Sequence, residues 1–237
     1  AFGRLLKTVD NLASRDNTLV YFTSDNGPAI TSWHPHGSAG PLRDKKGYLY
    51  EGGIRVPGII RWPGHTKPAQ VCDEPVSGVD LLPTLCAIAG IDVPNDRTID
   101  GASFLPIFKQ QAIERKQPLY WQFNPARGKP KVALRDGKWK ILASLTGPEI
   151  KPYGDLRAGD SQALKSAELA DFELYNLQDA IDESNDRSAA EAVRFKKMSS
   201  TLRKIYADVR SESPVWPTWI WPRFEGKRIR AGRETAK

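Results

Sequence analysis

Asp25 and Asn26 stand side by side just after a short apolar run, Asn17-Thr-Leu-Val-Tyr-Phe22. Both side chains carry oxygen donors of the kind that hard cations prefer. A basic, glycine-rich stretch follows, His36-Gly-Ser-Ala-Gly-Pro-Leu-Arg43-Asp-Lys-Lys46-Gly47, and then Glu51-Gly-Gly-Ile-Arg55-Val-Pro57. An ammonium fixed beside an anion stabilises developing charge without having to reorganise. Together these stretches suit a divalent cation and a negatively charged ester. Each has a plainer use as well: Asp-Asn-Gly is an ordinary turn sequence, and Lys45 with Lys46 could be a solvated surface pair. His34 and His36 lie in the same stretch and titrate near neutrality, which fits proton donation or recognition but also plain loop histidines.

The elements that must position these groups can be read from hydrophobic spacing. Phe2, Leu5, Leu6, Val9 and Leu12 recur at helical intervals, so residues 2–14 are expected to form a helix with its apolar stripe on a core. The run from 17 to 22 has the pattern of a strand buried on both faces of a parallel sheet. Asp25 and Asn26 then fall beyond its carboxyl end, where open α/β sheets gather ligands. Residues 27–55 read as a long functional loop, and Val56–Trp62 as a second strand. Asp80 is placed to cap a helix carrying Leu81, Leu82, Leu85 and Ile88, with Gly90 placed to end it.

After the polar stretch from Lys109 to Gln117 the pattern changes. Leu119–Phe123 reads as a strand, residues 132–142 as a hairpin turning at Asp136-Gly137, and Phe172–Leu177 as a third strand. Ser188 and Glu191 form a capping-box pattern ahead of a helix carrying Phe195, Met198, Leu202, Ile205, Tyr206 and Val209 on one face. The expectation is a small antiparallel sheet covered by one helix.

The ordered combination of strand, Asp-Asn-Gly, Gly-Ser-Ala-Gly-Pro-Leu-Arg, Lys-Gly and Glu-Gly-Gly-Ile-Arg-Val-Pro resembles the sulfatase family of the alkaline phosphatase superfamily. Ala133-Leu-Arg-Asp-Gly-Lys-Trp-Lys and Glu173-Leu-Tyr-Asn-Leu resemble that family's carboxy-terminal subdomain more loosely. The implied architecture is α/β, with part of an alkaline-phosphatase-like sheet and its helices over residues 1–110. A small α+β subdomain follows over 118–210, then a Trp/Pro-rich and finally basic tail over 211–237.

The resemblance implies one calcium ion, bound in the family by aspartates, an asparagine or glutamine and the substrate sulfate; Asp25 and Asn26 match two of those ligands. Lys46 matches the family lysine that contacts a sulfate oxygen as the ester bond breaks. Lys45 stands where the family has a small residue, and Gly47 after Lys46 favours Lys46. His36 and His34 lie in a loop that varies with substrate and are the candidate recognition residues. Arg43, Glu51 and Arg55 read as internal ion pairs holding the loop, with Gly52-Gly53 giving a tight backbone.

The family's nucleophile is a formylglycine made within Cys/Ser-x-Pro-x-Arg, and neither Cys72 (Cys-Asp-Glu-Pro) nor Cys86 (Cys-Ala-Ile-Ala) fits that motif. The formylglycine is therefore expected upstream. The reading is the carboxy-terminal part of a calcium-dependent sulfatase, truncated or one piece of a split enzyme, inactive without its amino-terminal half. Its expected substrate is a sulfate ester, with sulfated carbohydrate as a class. One alternative is a phosphodiesterase or phosphonate hydrolase of the same superfamily, but no Asp-x-His or His-x-x-x-His pair for a two-metal site follows the Asp25 strand. Another is a non-catalytic module that binds sulfated glycans.

Composition constrains less. Lys plus Arg number 35 against 28 Asp plus Glu. Much of that surplus sits in the tail, where Arg223, Lys227, Arg228, Arg230, Arg233 and Lys237 face only Glu225 and Glu234. Solvated charge is favoured there over nucleic-acid binding. Trp216, Trp219 and Trp221 are expected to pack back onto the body in preference to stacking sugars. No apolar run reaches the roughly 18 residues of a membrane span, and the two cysteines read as free thiols. Family habit implies export, to a periplasm or outside the cell.

Overall fold

The computed structural model describes residues 1–147 and 160–215. In chain order it contains α1 (Phe2–Asp10), β1 (Val20–Phe22), α2 (Glu51–Ile54), β2 (Ile59–Arg61), α3 (Leu81–Ala89), β3 (Leu119–Gln122), β4 (Val132–Asp136), β5 (Trp139–Leu145), α4 (Asp160–Ser166), β6 (Leu169–Asn176) and α5 (Ala192–Glu212). It divides into two compact units, residues 1–27 with 55–119, and residues 28–54 with residue 120 onward. The expected Trp-rich and basic tail lies outside the described residues. Among the described residues no helix is long and apolar enough to cross a membrane, and Cys72 and Cys86 are both free thiols.

In the first unit β1 pairs antiparallel with β2, Tyr21 opposite Ile60. The expectation of a parallel strand buried on both faces is overturned, because β2 is its single sheet partner among the described residues and Phe22 is exposed. The first helix ends at Asp10 and has no buried residue. Its stripe therefore does not sit on a core as expected: Phe2, Leu5 and Leu12 are exposed, and the Phe2 ring lies 4.8 Å from that of Phe22, itself exposed. The core of this unit is a smaller cluster of Phe104, Ile107 and Ile113, with Ile60, Val76 and Leu81 packed against it.

A fully buried carboxylate organises that cluster. Asp80 precedes α3 as expected, but its side chain does not cap that helix. It accepts hydrogen bonds from the Ser77 and Ala102 amides at 2.7 and 2.9 Å and from both guanidinium nitrogens of Arg115 at 2.6 and 2.8 Å. A carboxylate is tolerated there because every lone-pair direction is answered. Gly90 ends α3 in the left-handed region, φ 67°.

The second unit holds a four-stranded sheet in the order β3-β4-β5-β6. The expected hairpin is present, with Asp136 opposite Trp139 across the turn. The period-two alternation of strands sends Val132, Leu134, Trp139, Ile141, Ala143 and Leu174 to one face, where Met198, Leu202 and Tyr206 of α5 cover them. The opposite face carries Ala133, Leu142 and Tyr175, packed against Leu49 and Tyr50. The sheet is thus covered on both faces, by the expected helix and by the glycine-rich loop itself. The capping box is not formed. Helix α5 begins at Ala192 with Glu191 at its cap, while the amide of Ser188 donates to Asp186 Oδ1 at 2.9 Å, which also accepts the Leu174 amide of β6.

Candidate functional site

Asp25 and Asn26 belong to the first unit and follow the end of β1. Asp25 is exposed, Asn26 is half-buried, and Gly27 is buried. Asp25 Oδ1 accepts the Asn26 amide at 3.0 Å and the Ser24 hydroxyl at 3.3 Å, and the same hydroxyl bonds to the Asn26 carbonyl at 3.0 Å. These local bonds close a turn that fixes the dipeptide's backbone. Among the described residues no group of three or more His, Cys, Asp or Glu gathers as a metal site. By donor chemistry Asp25 and Asn26 fit as two of the roughly six to eight oxygens that calcium takes.

His34, His36 and Lys46 belong to the second unit, and all three are exposed. The Thr31–His34 turn is closed by reciprocal backbone bonds, Thr31 N–H to the His34 carbonyl at 3.2 Å and the reverse at 3.1 Å. The neighbouring cations differ in what they do. Lys45 is half-buried and donates its ammonium to the Ile30 carbonyl at 2.7 Å. Arg43 donates to the Tyr175 hydroxyl at 3.2 Å and the Glu183 carbonyl at 3.0 Å, with its guanidinium 3.7 Å above the Tyr50 ring. Among the described residues no hydrogen bond or ion pair engages the Lys46 ammonium. Its backbone amide is held by the Pro28 carbonyl at 3.1 Å.

The loop around Lys46 is held by close backbone packing. A Cβ on Gly52 would stand 2.2 Å from the Asp44 carbonyl oxygen, and one on Gly53 would stand 2.1 Å from that of Tyr48. Only glycine allows that approach. The Gly52 amide donates to the Arg43 carbonyl at 2.7 Å, closing the loop on itself.

Sequence reasoning expected Arg43 and Glu51 to form internal ion pairs, and both are anchored. It did not foresee that the partners come from the carboxy-terminal sheet. Glu51, almost fully buried, meets Lys140 at 3.0 Å and Arg135 at 3.2 Å. Tyr50 and Tyr175 both donate to the Glu173 carboxylate, at 2.8 and 2.9 Å. Burial first, and then the facing Glu173 charge, hold both phenols well above the ordinary tyrosine range. Arg55, also expected to take part in an internal ion pair, lies in the first unit. One signal for Lys140 was legible: a lysine inside the apolar run Trp139-Lys-Ile-Leu142 is costly unless paired. No comparable signal marked Glu183.

The sulfatase family model matches residues 1–91. The chain is 34% identical to arylsulfatase A of Bos taurus over 213 residues, 86% of this chain and 41% of that protein. It is 41% identical to the steryl-sulfatase of Homo sapiens over 162 residues, 64% of this chain and 27% of that one. Among solved structures, Ps i-CgsB in complex with k-i-k-neocarrahexaose superposes with a TM-score of 0.69 at 26% identity, over 97% of this chain and 44% of that chain. The chain thus spans less than half the length of each of these proteins.

Proposed function

The chain belongs to the sulfatase family, and on that footing we propose that it is the carboxy-terminal part of a calcium-dependent enzyme that hydrolyses a sulfate ester to an alcohol and sulfate. The observation that carries this reading is the 34% identity to arylsulfatase A across 86% of the chain, joined to an exposed lysine on a rigid loop. Asp25 and Asn26 would supply two of the calcium ligands. Bound calcium would draw charge from a sulfate oxygen. Lys46 would do the same as a fixed cation, and His34 and His36 would contact the alcohol part of the ester. A sulfated carbohydrate is the proposed substrate class, supported by the likeness to a structure holding a carrahexaose.

The exposed apolar stripe of α1 and the single sheet partner that β1 has among the described residues support a further part of this proposal: that the rest of the sulfatase fold, with the formylglycine, packs onto the first unit. The 237-residue chain by itself is then expected to be inactive. The test is a titration of the chain with sodium sulfate, with and without calcium, followed at the Lys46 side chain by NMR, beside an aryl sulfate turnover assay. The expected result is a sulfate-dependent shift lost in Lys46→Ala, a calcium-dependent shift at the Asn26 amide lost in Asp25→Ala, and no turnover. Turnover by the purified chain would refute the partial-enzyme reading. Tight, calcium-insensitive binding of a sulfated oligosaccharide would replace it with a binding module, and a response to a phosphonate but not to sulfate would replace it with a phosphonate hydrolase.

A further inference from the structure

Strand β5 alternates its side chains between α5 and the glycine-rich loop, and Lys140 falls on the loop side, fully buried between Arg135 and Tyr175 on the flanking strands. An ammonium in that position loses its hydration and is tolerated only if it is paired. Its Nζ lies 3.0 Å from Glu51 Oε1 and 2.8 Å from Glu183 Oε1. The other Glu183 oxygen accepts the backbone amide of Glu51 at 2.6 Å. Glu51 is therefore gripped through both its carboxylate and its backbone.

Glu183 also reaches the other end of the loop, because its carbonyl accepts the Arg43 guanidinium at 3.0 Å. Lys46 lies between these two anchors in the chain. Glu183 makes these contacts from a left-handed backbone conformation, φ 52°, that is unfavourable for a residue carrying a side chain. A turn that needed only the left-handed conformation would be better served by glycine. The glutamate is there for its side chain.

We propose that Lys140, on β5, and Glu183, in the segment that follows β6, are positioning residues that set the conformation of the Lys46 loop; their effect on sulfate rests on reading Lys46 as the sulfate-contacting cation. Stability alone is a poor reason for such a network, since buried ion pairs replaced by apolar groups of similar volume are often neutral or stabilising. What a fully paired cluster fixes is geometry.

The test uses the whole 237-residue chain with Glu183→Gln, which keeps the shape and can still accept the Glu51 amide, and Lys140→Met, with Lys140→Arg as the rescue. Two readouts are taken: amide hydrogen exchange at Gly52, and the sodium sulfate titration at Lys46. In both loss variants the amides of Leu134 and Ile141 should keep their protection. Gly52 exchange should quicken on the order of tenfold or more, the loss expected when a charge-assisted bond goes. The sulfate response should weaken by a similar factor, and Lys140→Arg should recover part of both. Unchanged Gly52 exchange and an unchanged sulfate response in Glu183→Gln overturn the inference, whether or not Lys140→Met folds. If the unsubstituted chain shows no sulfate response while Gly52 exchange shifts as expected, the loop-setting role stands and it is the reading of Lys46 that fails.

Discussion

Gly52→Ala is the sharpest probe of how the loop is built. The added methyl would lie 2.2 Å from the Asp44 carbonyl oxygen and 2.4 Å from that of Arg43, both backbone atoms that no rotamer change can withdraw. Either α2 or the Arg43–Asp44 segment must move. The same movement breaks the 2.7 Å bond from the Gly52 amide to the Arg43 carbonyl. Overpacking of this kind costs about 1–3 kcal/mol, and leaving a buried amide unanswered adds about 1–3 kcal/mol. The expected destabilisation is therefore about 2–6 kcal/mol, a large share of the roughly 5–15 kcal/mol net stability of a domain. Urea denaturation followed by far-UV circular dichroism measures it. Gly3→Ala is the matched contrast, because Gly3 lies within α1 with nothing within 4 Å of a new Cβ. There the substitution should stabilise by about 0.5–1 kcal/mol through helix propensity alone. If Gly52→Ala shifts stability by no more than about 0.5 kcal/mol, the size of an ordinary surface change, the close-packed account of the loop is wrong.

In the first unit, Arg115→Ala removes the guanidinium that pairs with the fully buried Asp80 and should cost about 3–5 kcal/mol, seen as a lower urea midpoint and faster exchange at the Ala102 amide. Burial, the largest influence on it, pushes the Glu183 carboxyl above the ordinary glutamate range, although Lys140 and the Glu51 amide pull it back. The folded state then holds that proton more tightly than the unfolded one. The contribution from this group is full below the ordinary value near about pH 4.3 and fades as pH rises through the raised value. The stability gap between the native chain and Glu183→Gln should shift in that direction across this window, and a gap constant with pH would contradict it. Leu5→Glu, on the exposed stripe of α1, should leave the unfolding free energy from urea denaturation within about 0.5 kcal/mol and reduce any concentration-dependent self-association seen by light scattering.

The elements were largely legible in the sequence, and their surroundings less so. Strong local signals held: the Asp136-Gly137 hairpin, the apolar face of α5 that includes Met198 and Leu202, and the glycine stop at Gly90 are each set by neighbours within a turn or two. The misreadings share a cause. Val20–Phe22 has the composition of a buried strand, but burial depends on what lies on either side, and composition does not supply that. Ser188 and Glu191 have capping-box spacing, but Asp186 is nearer to the Ser188 amide and takes it. At the candidate site, oxygen donors and cations could be recognised by type. The partners of Glu51 could not, because Lys140 and Glu183 lie 89 and 132 residues away in sequence and only the folded chain brings them to it.

The division of labour among the loop cations follows from those partners. Residues 27–55 contain little regular structure, so their polar groups need answers from elsewhere. Lys45 is spent on the Ile30 carbonyl and Arg43 on Tyr175 and Glu183. Glu51 is spent on Lys140 and Arg135. Glu51 is buried, where desolvation would be ruinous without a partner, while Arg43 and Lys45 are partly exposed and tie the loop to neighbouring carbonyls. Lys46 is exposed, and the backbone on both sides of it is tied down. A lysine of this kind keeps its charge available to an incoming anion and needs no ion pair broken first, which is what the proposed contact with a sulfate ester calls for.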